Sequence, residues 1–248
     1  MAVPLVDNVV TEALGAGKQF VVVWHPHGAY TTMALMHGAR LAVDGEPVGW
    51  WAGVAPVLFS VPVLREVLML ANARSVDAST LDKLLAAGHT IGVQPGGIPE
   101  QLHTDHRREV AVFPPKLGFI RLAMKHGTDL LPAYIFGENQ AYSTFAPNFA
   151  DAFFKRTGFP LVPVLGRWGL PWLVPRPTGI FARWGRPVPV GPPNAEPTDE
   201  QVSEVFGRYV TELKRLFDEH KDACLPAAVA AEGLQVEVRG AHRPRSKL

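Results

Sequence analysis

The stretch VVVWHPHG, residues 21–28, drives an apolar run of strand-forming residues straight into two imidazoles separated by one proline. Buried strands usually end on glycine, asparagine or aspartate, which suit a turn. His25, Pro26, His27 and Gly28 instead put two groups there that titrate near neutral pH. Three readings fit the pair: a general base with a helper, two ligands of a metal, or a polar turn without chemistry. A metal site needs further ligands. The other histidines (His37, His89, His103, His106, His126, His220 and His242) fall on expected helix faces, in turns or near the C-terminal end, and none closes another apolar strand. No metal is expected.

Two more apolar runs end in polar groups. Gly96 and Gly97 follow TIGVQ, with Glu100 in the next turn, and Gly137, Glu138 and Asn139 follow Leu130–Phe136. In an open α/β sheet, ligands bind beyond the carboxyl ends of the strands, so these three ends would converge on one pocket. Glycines 96 and 97 would let backbone approach a ligand closely, and Glu100 would project from the turn behind them.

The elements that must position these groups alternate between strand and helix, the signature of a layered α/β fold. Strands are expected at Gln19–Trp24, Thr90–Gln94, Leu130–Phe136 and Thr178–Trp184. Helices are expected from Gly28 to about Val43, over Pro62–Ala71, from a capping box at Ser79–Asp82 to Ala87, and over Phe119–His126. A second capping box at Thr198–Gln201 opens an amphipathic helix whose stripe runs Val202, Val205, Phe206, Tyr209, Val210, Leu213, Leu216 and Phe217. The expected architecture is a single-domain α/β fold over residues 1–225, a central mixed sheet flanked by helices. Residues 226–248, small, polar and basic, are expected to form a flexible tail.

The bulk numbers narrow the function. Lys+Arg 24 against Asp+Glu 23 gives a formal charge of +1, and no basic cluster interleaves with aromatics, so nucleic acid is excluded as a partner. The single Cys224 rules out an internal disulfide and fits a reducing compartment. The N-terminal residues lack a secretory signal pattern. Two uncharged or aromatic stretches, Pro47–Leu64 and Gly158–Pro175, carry several prolines, which argues against a spanning helix. They suit either core or a surface lying in a membrane interface, where tryptophan is favoured.

Five ordered blocks, HPHG (25–28), PVLREVLML (62–70), PGGIPE (95–100), KLGFIRLAMKHGTDLLPAYIFGEN (116–139) and LVPRPTGIFARWGRPVPV (173–190), give the chain a specific likeness. It resembles the type-2 diacylglycerol acyltransferase family, which includes monoacylglycerol and wax-alcohol acyltransferases, from about Phe20 to about Leu225. The resemblance implies a glycerolipid-acyltransferase type of fold. It implies an enzyme that moves a fatty acyl group from acyl-CoA, as co-substrate, to a lipid hydroxyl at a membrane surface, with no cofactor. Diacylglycerol is the acceptor favoured on family grounds, with monoacylglycerol or a wax alcohol as the alternative; a non-catalytic lipid-binding protein on the same scaffold is the alternative of another class. A homodimer is compatible with this reading.

Some 24 residues precede His25, where members of the family carry an apolar membrane hairpin, and Lys116 stands where they tend to have an arginine. The related glycerophosphate acyltransferases place an aspartate five residues after their histidine; here those positions hold Tyr30 and Thr32, so Glu100 is the candidate orienting carboxylate. His27 is assigned as general base and His25 as its helper through hydrogen bonding. Gly28, Pro26, Gly96, Gly97, Gly137, Glu138 and Asn139 would shape the substrate site, and Arg65 and Lys116 would meet the phosphates of CoA. The family's home implies the cytosolic face of the endoplasmic reticulum or a lipid droplet. The terminal Ser246-Lys247-Leu248 gives a peroxisomal alternative.

Overall fold

The computed structural model describes residues 17–31, 50–171 and 174–239. The helix expected between Gly28 and Val43 and the Ser246–Leu248 signal lie outside the described residues, apart from the first few positions after Gly28.

Six strands form the central sheet in the order β3-β2-β4-β1-β6-β9: β1 Val21–His25, β2 Trp50–Val54, β3 Ala73–Ser75, β4 Thr90–Val93, β6 Leu130–Phe136 and β9 Phe181–Trp184. Every pairing in this sheet is parallel except β9 against β6, and β7 Ser143–Thr144 and β8 Val164–Leu165 form a separate antiparallel pair. The parallel strands therefore present their carboxyl ends at one edge of the sheet, as the α/β alternation requires. His25 is the last residue of β1, paired with Tyr134 of β6.

Alternation along the strands loads both faces. Val21, Val23, Ile91, Val93, Tyr134 and Phe136 share one core with the helices, and Phe20, Val22, Trp24, Trp50, Leu131 and Ile135 fill the other. The helices are α1 Leu64–Leu70, α2 Ala78–Ala86, α3 Gly97–Leu102, α4 Gly118–His126, α5 Pro147–Thr157, α6 Asp199–Cys224 and α7 Ala227–Glu232. The capping box of α6 forms as expected, with the Thr198 hydroxyl accepting from the Gln201 N–H. Its six buried side chains contribute far more than the cap, at about 1.5–3 kcal/mol for each large apolar one against about 1 kcal/mol.

Two local expectations are corrected and a third is narrowed. The capping box at Ser79 does not form: α2 starts at Ala78 behind Asp77, which makes no side-chain cap because its carboxylate accepts from the Ser75 hydroxyl at 2.5 Å. The uncharged stretch 47–64 is, over its described part, the strand β2, a 3-10 turn at Pro56–Ser60 and the first residue of α1. Trp50–Ala52 pair with β4 and Ala52–Val54 with β3, and this pairing keeps the segment in the sheet. Residues after Pro226 are no loose tail as far as Arg239. They form α7 and then β10, Leu234–Val238, which pairs in parallel with β5, Glu109–Phe113, because Leu234, Val236, Val229 and Ala230 have an apolar core to join. Among the described residues no helix is long and apolar enough to cross a membrane.

Candidate active site

The turn after β1 is held from three sides. Glu100, on α3 and almost fully buried, accepts from the His27 backbone N–H through Oε1 at 2.5 Å and from the Val112 N–H of β5 through Oε2 at 3.0 Å. The Gln94 amide donates to the Pro26 carbonyl at 3.2 Å, and Gln101 to the Ala29 carbonyl at 2.9 Å. The His25–Pro26 peptide bond is cis. A single carboxylate thus ties the end of β1, the start of α3 and the middle of β5 together.

The two imidazoles stand in different surroundings. His25 is 1% exposed, its ring lies 4.9 Å from that of Phe113, and its Nδ1 is 3.5 Å from Glu100 Oε2. Among the described residues neither of its ring nitrogens makes a hydrogen bond, and its contact with Glu100 stands in place of the turn-fixing bond expected of His25. His27 is half-buried, with Nδ1 3.3 Å from the Gly28 carbonyl. Burial holds its pKa below the usual value of 6.5, opposed in part by the nearby negative charge of Glu100.

Two of the glycines, Gly96 and Gly28, make room for the protein's own side chains. A Cβ on Gly96 would fall 2.0 Å from Glu100 Oε2, so this position is glycine to admit the carboxylate, not a substrate as the sequence suggested. Gly97 has open space beside it. Gly28, with φ +67°, packs against Glu138, whose Cγ would lie 2.7 Å from an added Cβ. Gly137, with φ +86°, lets the carbonyl of Gly179 approach. Glu138 is buried, and its charge adds to the burial that raises the Tyr142 hydroxyl pKa.

Asn139 turns away from the histidines and donates to Glu109, a second buried carboxyl group, at 2.8 Å. Glu109 also accepts from the Tyr134 hydroxyl at 2.7 Å and from the Gln140 amide at 2.8 Å. Burial, with a smaller contribution from the charge of Glu100, pushes its pKa up to about 7 against those three donors. Arg65 on α1 and Lys116 before α4 are solvent-exposed, and neither is part of this cluster. A cleft opens beside it, lined by Pro26, Glu100, Arg108, Val112, Asn139 and Arg239.

Sequence reasoning missed Gln94, Gln101, Glu109, Tyr134, Gln140 and the backbone of Val112. Gln94 carried a signal, because it closes the apolar run of β4. Glu109 was hidden in the charged loop QLHTDHRRE, whose last residue is the first of β5.

The model of the diacylglycerol acyltransferase family matches residues 3–227. The chain belongs to the diacylglycerol acyltransferase family. Its similarity to 2-acylglycerol O-acyltransferase 3 of Homo sapiens is 32% identity, covering 90% of this chain and 71% of that one. It is 30% identical to diacylglycerol O-acyltransferase 2 of Bos taurus, over 87% and 64% of the two chains. With the acyl-CoA wax alcohol acyltransferase 2 of Mus musculus it shares 29%, over 86% and 69%. The chain thus spans about two thirds of the length of these curated relatives. A solved acyltransferase, the 1-acyl-sn-glycerophosphate (LPA) acyltransferase PlsC of Thermotoga maritima, is 21% identical with a TM-score of 0.43, covering 79% and 67%. In this member of the diacylglycerol acyltransferase family, HPHG, PGGIPE and FGEN are the three strand ends that meet around Glu100 and Gly28.

Proposed function

We propose that the protein transfers a fatty acyl group from acyl-CoA to the hydroxyl of a neutral lipid, diacylglycerol being the proposed acceptor. The observation that carries this reading is the grip of Glu100 on the His25–Gly28 turn at the carboxyl edge of a parallel sheet, in a chain of this family. His27 is the general base. Its imidazole is the more accessible of the two, and its lowered pKa keeps it neutral at pH 7, as a proton acceptor must be. It takes the hydroxyl proton as the lipid oxygen attacks the thioester carbonyl. The tetrahedral intermediate then collapses, the carbon–sulfur bond breaks, and the imidazolium returns the proton to the CoA thiolate. Glu100 fixes the turn by accepting its N–H, and His25 fills the space between that carboxylate and Phe113.

A membrane surface is the proposed source of the acceptor. The side chains Phe145, Phe149, Trp168 and Leu170 are exposed large apolar groups, Trp168 being 72% exposed. Phe149 lies on the helix whose Ala150 joins Ala29 and Tyr30, just after HPHG, and Val162, Val164 and Tyr142 in a small core. Lys155, Arg156 and Arg167 in the same region suit anionic headgroups. The cytosolic face of the endoplasmic reticulum or a lipid droplet is the proposed location.

The test is transfer of labelled oleoyl groups from oleoyl-CoA to diacylglycerol, monoacylglycerol and a long-chain alcohol in detergent micelles, with a chelator present. Turnover that survives chelation and favours diacylglycerol supports the proposal; lipid binding without turnover on any acceptor overturns it.

A further inference from the structure

Glu109 lies outside the proposed catalytic turn yet is bonded to the elements that build it. Three donors converge on its carboxyl group: the Tyr134 hydroxyl from β6 and the Asn139 and Gln140 amides from the turn after β6. The same amides reach the loop before β5, Gln140 Nε2 donating to the His106 carbonyl at 3.1 Å and Asn139 Nδ2 to the Arg108 carbonyl at 3.5 Å. The turn they belong to carries Glu138, packed on Gly28, and the loop they reach lines the cleft beside Pro26 and Glu100.

This network is complete only around an ionised Glu109, which accepts on both oxygens. A protonated carboxyl could donate to the Tyr134 oxygen only by turning the Tyr134 hydroxyl hydrogen away from it, so one O–H of the pair would be left without an acceptor in this arrangement. The amide oxygens Asn139 Oδ1 and Gln140 Oε1 are both buried without a hydrogen-bond partner among the described residues. Turning one amide over would supply the acceptor and would withdraw that amide's N–H from the loop carbonyl. The ionisable groups around Glu109 are Tyr134 on β6, Glu100 on α3, and His106 and Arg108 on its own loop. On α6, Tyr209 and His220 pack near Phe113 and Phe136, and β10 contributes the apolar Leu234.

We propose that Glu109 is a positioning residue whose ionised form ties the turn Gly137–Gln140 to the loop His103–Arg108 and so sets Glu138 against the HPHG turn. It acts through Asn139 and Gln140 and touches no reacting atom. For the rate of acyl transfer the inference rests on the function proposed above; for the geometry of the turn it does not.

The experiment follows the His27 Cε1–H resonance of the full chain from pH 5 to 9, alongside kcat for oleoyl transfer to diacylglycerol, in the wild type, Glu109→Gln and Tyr134→Phe. In the wild type, His27 reports its own ionisation below 6.5 and a second inflection near 7. Glu109→Gln removes the second inflection and lowers kcat at pH 8 by about tenfold, to the level the wild type shows when Glu109 is protonated. Tyr134→Phe takes one donor from the carboxylate and moves that inflection to higher pH. A single His27 inflection in the wild type, or one unmoved by either variant, overturns the proposal whether or not the protein turns over. Both inflections without turnover on any acceptor would reject the reaction and support the positioning role.

Discussion

Glu100 and Glu109 are both buried, both bonded to or part of β5, and differ in what holds them. Glu100 is held by main-chain N–H groups of two separate segments, which no substitution short of proline removes. Glu109 is held by three side chains, and burial leaves it titrating near 7. Main-chain donors tie two segments of the fold to one carboxylate, whereas amide side chains can turn over about it. The same residue type therefore clamps the site on one side and adjusts it on the other.

Removing the clamp should have the larger effect. Glu100→Ala leaves the His27 and Val112 N–H groups without acceptors at a cost of about 1–3 kcal/mol each. Chemical denaturation should show a loss of about 4 kcal/mol together with loss of acyl transfer; an unchanged midpoint would contradict the clamp.

For Glu109 the pH dependence carries the comparison. Its pKa rises from 4.5 to about 7 on folding, so the folded state binds the proton more tightly. Its contribution to stability is full below about 4.5 and is lost as pH rises through about 7, by about 3 kcal/mol at about 1.4 kcal/mol per pH unit. Unfolding curves across that window should slope in the wild type and be flatter in Glu109→Gln; the same slope in both would remove the distinction between the two carboxyls.

Gly96→Ala sharpens the clamp side alone. Its methyl group would press on Glu100 Oε2, and overpacking of this kind costs about 1–3 kcal/mol, so activity should fall while the Glu109-linked slope stays. The smallest effects on stability are expected at Arg65 and Lys116, whose exposed positions predict changes within about 0.5 kcal/mol for Arg65→Ala and Lys116→Ala in chemical denaturation.

The strands β1, β4 and β6 were readable because their apolar runs stop at marked residues: His25, Gln94 and Gly137. The convergence of their ends followed from parallel pairing alone. What stayed hidden was long-range. The acceptor role of Glu100 toward Val112 joins residues twelve apart across the charged loop QLHTDHRRE, and nothing local in REVAVF says that its glutamate is buried. β10 was obscured because a small, polar composition after Pro226 reads as tail until the exposed edge of β5 is seen to need a partner. Gly96 was read as room for a ligand, since a sequence cannot say which of two neighbours, a substrate or Glu100, fills the space a missing Cβ leaves.

The most direct test of the central claim is the single-turnover rate of oleoyl transfer to diacylglycerol at pH 8 in the wild type, His27→Ala and His25→Ala. The account predicts that His27→Ala loses about 10³-fold, the scale of a general base, while His25→Ala keeps measurable transfer. Full activity in His27→Ala, with transfer abolished in His25→Ala, would contradict it and move the base to the buried imidazole beside Glu100.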